Sequence, residues 1–236
     1  LEEAVRCCLT SPTGPVSVEI PIDIQRSIIS KPKKIPNIKI EKEALILGDI
    51  GTIDQIEESI RNSNRKVLWI GNGAKNLKLE VNKFIDLGFA VVTSTQAKGV
   101  VDENNDMCIG AFNAVPLAEN FYSTVDLMLV VGSRLRGHET RDMSLKLPKN
   151  LIQIDIDPDA KNRTYQTSLF HLGDAKKVLN ELLLRLEDLS KSKQDWYDEV
   201  KILKQEILKE YKSFLKNYKH FPEIIRKCLP KGGRWI

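Results

Sequence analysis

An α/β fold, a doubly wound parallel sheet with helices on both faces, is the class this sequence predicts. Three observations predict it. Apolar runs of strand length recur at residues 67–70, 89–93, 126–131 and 151–157. Most of them end in a turn rich in Gly, Ser or Asp, and helical periodicity comes between or after them. The first three runs are also almost unbroken rather than alternating, which is how strands read when both faces of a parallel sheet are covered.

In chain order, residues 1–9 read as the end of an amphipathic helix, and Ser11-Pro12-Thr13-Gly14-Pro15 as a turn. Val16, Val18, Ile20, Ile22 and Ile24 then alternate with other residues at strand period, and Pro21 confines such a strand to a sheet edge. Residues 31–43, with Lys31, Pro32, Lys33, Lys34 and Pro36, read as an extended linker. A short helix carrying Ile53, Ile56 and Ile60 follows. The first buried strand runs into Gly71-Asn72-Gly73-Ala74 and a helix to about Leu87. A helix from Asp174 to about Leu189 carries Val178, Leu179, Leu182, Leu183 and Leu186 on one stripe. Beyond Ser190 lies a Lys/Glu-rich helical stretch with Trp196, Tyr197, Leu203, Ile207 and Tyr211. A last short helix and a turn opening a further strand at 229–236 end the chain.

Composition limits the function classes. The 236 residues make between one and two domains at about 150 residues each. With 42% apolar and 29% charged residues the chain is an ordinary globular sequence, which excludes disorder. The longest apolar run, 127–131, is far short of the roughly 20 residues that cross a bilayer, so no membrane partner is expected. The net charge of +4 is local: residues 191–236 hold twelve Lys and Arg against six Asp and Glu, an excess of +6. Acids are interleaved there and no aromatic platform accompanies the bases, so a solvated helix face fits better than a nucleic-acid partner. Cys7, Cys8, Cys108 and Cys228 have neither metal-ligand nor disulfide-framework spacing, which points to a cytoplasmic protein. The start at Leu1, the strand without a sheet at 16–24 and the strand opening at 229–236 predict a piece of a longer protein. On this reading 1–30 closes a preceding domain, 31–44 is a linker, 45–190 is one whole domain, and 191–236 is a helical linker reaching a third domain.

In a sheet of this class ligands bind at the carboxyl ends of the strands, where turns offer backbone N–H groups to anions. Gly71 and Gly73 follow the first strand, but Asn76 stands where a dinucleotide fingerprint needs a third glycine. Thr93, Ser94 and Thr95 stand where a ribose-binding acid belongs, so an ordinary NAD site is not expected. The Gly turn reads equally as a plain connection. Gly132-Ser133-Arg134-Leu135-Arg136 places two guanidinium groups at the same edge, and Arg binds phosphate with a two-pronged fork. Asp155 and Asp157 flank Ile156 and are expected to point to opposite faces; Asp155 suits a ribose hydroxyl, and Asp157 before Pro158 suits a turn cap. Asp174 reads as the N-cap of the helix that follows. His138, His171 and His220 lack metal spacing, and no Ser or Cys nucleophile is paired with a base in any motif.

Taken in order, these motifs resemble the middle of the thiamine-diphosphate-dependent enzymes of the acetolactate synthase and benzoylformate decarboxylase type. The resemblance rests on residues 14–23, 67–74, 95–101, 126–135, and 154–158 with 173–175, and so covers almost the whole chain. It implies a three-domain subunit acting on a 2-oxo acid by decarboxylation or carboligation, in a homodimer or homotetramer. In that family a Glu of the first domain activates thiamine diphosphate, and a GDG…N motif of the third holds Mg2+ and the diphosphate. No GDG occurs in this sequence, and Gly48-Asp49-Ile50 lies before the first strand of the central domain. Relatives that bind FAD or ADP in the central domain imply that Gly71, Gly73, Ser94, Thr95, Gly110, Gly132, Arg134, Asp155 and Asp174 line the site. Asn72, and Arg136-Gly137-His138 after Arg134, depart from the FAD-binding pattern, so FAD, ADP and an empty structural domain all stay open. The alternative to this family is a free-standing nucleotide-binding module of related fold.

Overall fold

The computed structural model describes residues 1–30, 46–189 and 194–230. The linker read over 31–44 lies outside the described residues, and so do residues 231–236 of the strand opening read over 229–236. The core is a six-stranded, all-parallel sheet. Its strands are β1 (Lys66–Ile70), β2 (Phe89–Thr93), β3 (Cys108–Gly110), β4 (Leu127–Val131), β5 (Leu151–Asp155) and β6 (Leu169–Leu172), in the order β3-β2-β1-β4-β5-β6. The four long strands fall where the apolar runs predict them. β3 and β6 were not foreseen; they are short and stand at the two edges.

Alternation along β1 divides the core into two layers. Leu68 and Ile70 face a layer built from α3 (Ile50–Arg61), α4 (Lys78–Asp86) and α6 (Ala175–Arg185). Helical spacing lets Ile53, Ile56 and Ile60 reach that face, as Val81 with Phe84 and Val178 with Leu182 do from the other two helices. Val67 and Trp69 face the opposite layer, covered by α5 (Pro116–Tyr122) and α7 (Gln194–Leu215). α7 lies in the stretch read from sequence as a helical linker, and it buries Trp196, Val200, Leu203 and Ile207 against the sheet. Trp196 stacks on Phe121 with ring centres 5.2 Å apart and donates its indole N–H to the Gly88 carbonyl at 3.0 Å. Arg65 lies over the Trp196 ring and pairs with Glu199. Each buried aliphatic side chain in these layers contributes about 1.5–3 kcal/mol of transfer free energy.

The N-terminal segment departs from expectation. α1 (Glu2–Leu9) is the expected helix, but residues 16–21 form no strand, and Ile22 and Ile24 lie in a short helix, α2 (Ile22–Arg26). Among the described residues no strand pairs with this segment, so its alternation has no sheet face to fill, and Val16, Val18, Ile20, Ile22 and Ile24 are all exposed. A last helix, α8 (Phe221–Cys228), buries no residue. No helix among the described residues is long and apolar enough to cross a membrane.

Candidate functional site at the carboxyl edge of the sheet

Strand order fixes which turns meet. β1 lies between β2 and β4, so the chain winds outward in both directions from this pair. That is the switch point where ligands of doubly wound sheets bind. Register aligns Thr93, Ile70, Val131, Ile154 and His171 in one row across five strands. The next residues, Ser94, Gly71, Gly132, Asp155 and Leu172, form the rim.

The rim is already hydrogen-bonded to itself. Gly71 N–H donates to Val131 at 2.9 Å, Gly132 N–H to Ile154 at 2.9 Å, and Ser94 N–H to Ile70 at 2.8 Å, extending the ladders one residue past each strand. Gly73 N–H donates to the Gly132 carbonyl at 2.9 Å, tying the two turns together. Close approach explains the glycines here. A Cβ on Gly71 would stand 2.2 Å from the Gly132 oxygen, and one on Gly132, whose φ is +60°, would stand 2.8 Å from Ala74 N. These glycines let one turn press on the next.

Arg134 reaches across the same rim and pairs with Asp157 at 2.6 Å. Asp157 also accepts the Asp159 N–H at 3.0 Å, the turn cap predicted for it. The expectation that Asp155 and Asp157 point to opposite faces fails: residues two apart in a strand share a face, and here β5 ends at Asp155 and the chain turns. Instead Asp155 Oδ1 accepts the Asp157 N–H at 3.0 Å, and both carboxylates lie within the field of Arg134. Burial pushes the Asp155 carboxyl above the usual carboxylate range, a shift that the Asp157 N–H and Arg134 oppose. Asp157 is the member of this cluster that sequence reasoning reduced to a cap; only the turn geometry shows it as the counter-ion of Arg134.

The remaining candidates are spread along the edge. Ser94 is buried and caps the turn Thr95–Ala97, accepting the Ala97 N–H at 3.2 Å, while Thr95 is exposed. Asp174 caps α6 by accepting the Lys177 N–H at 3.1 Å. Gly110 ends β3 with φ +76° and open space around it. From β3 to β6 is five strand spacings, roughly 24 Å at about 4.8 Å each, so Gly110 and Asp174 cannot share a small site. The structure thus brings together Gly71, Gly73, Gly132, Arg134 and Asp155, joined by Asp157. Near Gly110, Asn113 holds a buried side-chain amide nitrogen without a hydrogen-bond partner, a group that sequence reasoning did not single out. Among the described residues no group of three or more His, Cys, Asp or Glu side chains could hold a metal ion.

Comparison with known proteins places this architecture. Residues 53–182 match the family described as thiamine pyrophosphate enzyme, central domain, a span that runs from α3 into α6 and takes in all six strands. The chain belongs to this family. Within it, the probable acetolactate synthase large subunit of Methanocaldococcus jannaschii is 27% identical over 214 residues, covering 86% of this chain and 36% of the relative. The acetolactate synthase large subunit of Corynebacterium glutamicum is 28% identical over 228 residues, covering 89% and 35%. The chloroplastic acetolactate synthase of Arabidopsis thaliana is 27% identical over 233 residues, covering 91% and 33%. The chain spans about a third of the length of these curated relatives. The central-domain family accounts for the doubly wound sheet.

Proposed function

We propose that this chain supplies the central domain of a thiamine-diphosphate-dependent enzyme that decarboxylates a 2-oxo acid and joins the product to a second carbonyl compound. The observation that carries the proposal is the family match over residues 53–182, together with acetolactate synthase relatives that continue well beyond the aligned span. Residues 45–190, with α7 docked on them, form the domain; 1–30 belong to the unit before it, and the stretch after α7 leads to the unit that follows. When bound, thiamine diphosphate supplies the carbanion chemistry; it and Mg2+ are held by other parts of the enzyme. This chain's residues act by positioning those parts around a rigid sheet.

The carboxyl edge does not fit a bound FAD or ADP. The amides of Gly71, Gly73 and Gly132, which a diphosphate would need, are donated to Val131, Gly132 and Ile154. The Arg134 guanidinium is matched by Asp157. A structural role for the edge therefore has the better support. A second reading rests on Asn113, whose unpartnered amide nitrogen near the open Gly110 would suit an acceptor atom of an adenine ring.

Two measurements test this. Calorimetric titration of the chain with thiamine diphosphate and Mg2+ should give no binding heat, and micromolar affinity would refute the assignment of that site to other parts of the enzyme. Thermal denaturation with ADP or FAD should leave the melting temperature unchanged. A rise of roughly 5 °C at a ligand concentration about 100 times Kd, abolished by Asn113→Ala, would establish the nucleotide reading instead.

A further inference from the structure

The turn after β1 holds the one Asn-Gly pair in the chain, Asn72-Gly73. Both residues are exposed, between the buried Gly71 and Ala74. In such a pair the backbone nitrogen of the glycine has no Cβ beside it to shield it, and it lies within reach of the asparagine side-chain carbonyl carbon. Of all asparagine pairs in an unstructured chain, this is the one that loses its amide most readily.

The fold opposes that reaction in two ways. Gly73 N–H donates to the Gly132 carbonyl at 2.9 Å, so the turn after β4 holds the nitrogen and its hydrogen in place. Asn72–Ala74 also form a 3-10 turn, which sets ψ near about −20 to −30°, and closing a five-membered ring needs ψ to rotate away from there. The same packing explains why the labile pair is present. A Cβ on residue 73 would stand 3.0 Å from Gly132 Cα, so the close approach of the two turns demands glycine there.

We propose that Asn72 is a self-modification site locked by the hydrogen bond between the β1 and β4 turns. When that bond opens, the Gly73 nitrogen passes its proton to hydroxide and attacks Asn72 Cγ. The N–Cγ bond forms, the Cγ–Nδ2 bond breaks, and the departing NH2 takes a proton from water and leaves as ammonia. Water then opens the cyclic imide at one of its two carbonyls, leaving an aspartyl or an isoaspartyl residue at position 72. The isoaspartyl form adds one carbon to the main chain before Gly73, so Gly73 no longer meets Gly132 in register. Each product formed is thus a permanent record of an opening at the switch point. The inference rests on the geometry of the edge and is independent of the function proposed above.

Peptide mapping by mass spectrometry on the full chain, held at mildly alkaline pH, tests the proposal. In concentrated urea, position 72 should be the first asparagine to lose its amide. In the folded chain its rate should fall by about tenfold or more, and by the same factor as deuterium exchange at the Gly73 amide, since both need the same hydrogen bond open. Gly132→Ala, whose Cβ would stand 2.8 Å from Gly73 Cα, should return the rate at position 72 toward its value in urea while the other asparagines keep theirs. Should that variant not fold, the wild type in urea below its unfolding transition makes the same comparison: loss of the amide at 72 and exchange at Gly73 should rise together. Equal rates at position 72 in the folded and the urea-treated chain overturn the proposal. So does a slow rate at 72 that does not follow exchange at Gly73.

Discussion

The two flanks of the family-matched span look alike in sequence and behave oppositely in structure. Before it, residues 16–24 alternate Val and Ile with other residues; after it, α7 spaces Trp196, Val200, Leu203 and Ile207 at helical intervals. Both are amphipathic. The N-terminal apolar residues stay in water, whereas the four on α7 are buried. The difference lies in the surface each can reach. The α3/α4/α6 layer covers one face of the sheet with three helices, while the other face has only α5 unless α7 joins it. α7 fills a vacancy, and residues 16–24 have no strand edge to pair with among the described residues. An apolar pattern states a demand for burial, and only the rest of the fold decides whether it is met.

The largest way to break this contrast is to remove the anchor of α7. Trp196→Ala deletes a ring stacked on Phe121, the hydrogen bond to Gly88, and the platform under Arg65. The expected loss is about 3–5 kcal/mol in chemical denaturation, the range for a large buried aromatic. Should the loss fall below about 1 kcal/mol, α7 would be a loosely attached linker and the two flanks would be equivalent.

A smaller, pH-dependent effect comes from Glu119 on α5, on the face that α7 covers. The Lys146 N–H and the Arg141 guanidinium hold its carboxyl below the usual carboxylate range, fastening residues 141–146 to the helix. Because the folded value is depressed, this stabilisation is fully present above the unfolded value, about 4.3, and is lost as pH falls through the folded one. Glu119→Gln should therefore be less stable than wild type at pH 7, and the two should converge below about pH 4. A gap that stays constant from pH 7 to pH 3 would mean that the ion pair contributes nothing.

What the sequence made legible follows the same physics. β1, β2, β4 and β5 were readable because five-residue strands that are mostly apolar and buried on both faces have few alternatives. β3 and β6 were not: Cys108, Ile109 and Gly110 are too few to show a period, and β6 carries His171 in its middle. The turns at Gly71, Gly132 and Asp155 were legible as positions, since strands of this class end in such residues. Their hydrogen-bond partners were not. Val131 accepts from Gly71 and Gly132 from Gly73 only because β4 lies beside β1, about sixty residues away in sequence, and no local pattern encodes that neighbour. The pairing of β4 with β5 likewise decides that Arg134 meets Asp157.

The smallest expected effect sharpens the comparison most. Val18 and Val130 are the same residue type in stretches that both read as strands. Val18 is about half exposed, whereas Val130 lies in β4, fully buried in the core facing Trp69 and α5. Val18→Ser in this chain should change stability by less than about 0.5 kcal/mol, as surface substitutions do. Val130→Ser removes a buried methyl pair and buries a hydroxyl, which should cost about 2–4 kcal/mol. Measuring the two by denaturation under identical conditions separates pattern from environment. If Val18→Ser cost more than about 1 kcal/mol, the N-terminal segment would be packed on the domain in solution, and its alternation would be satisfied after all.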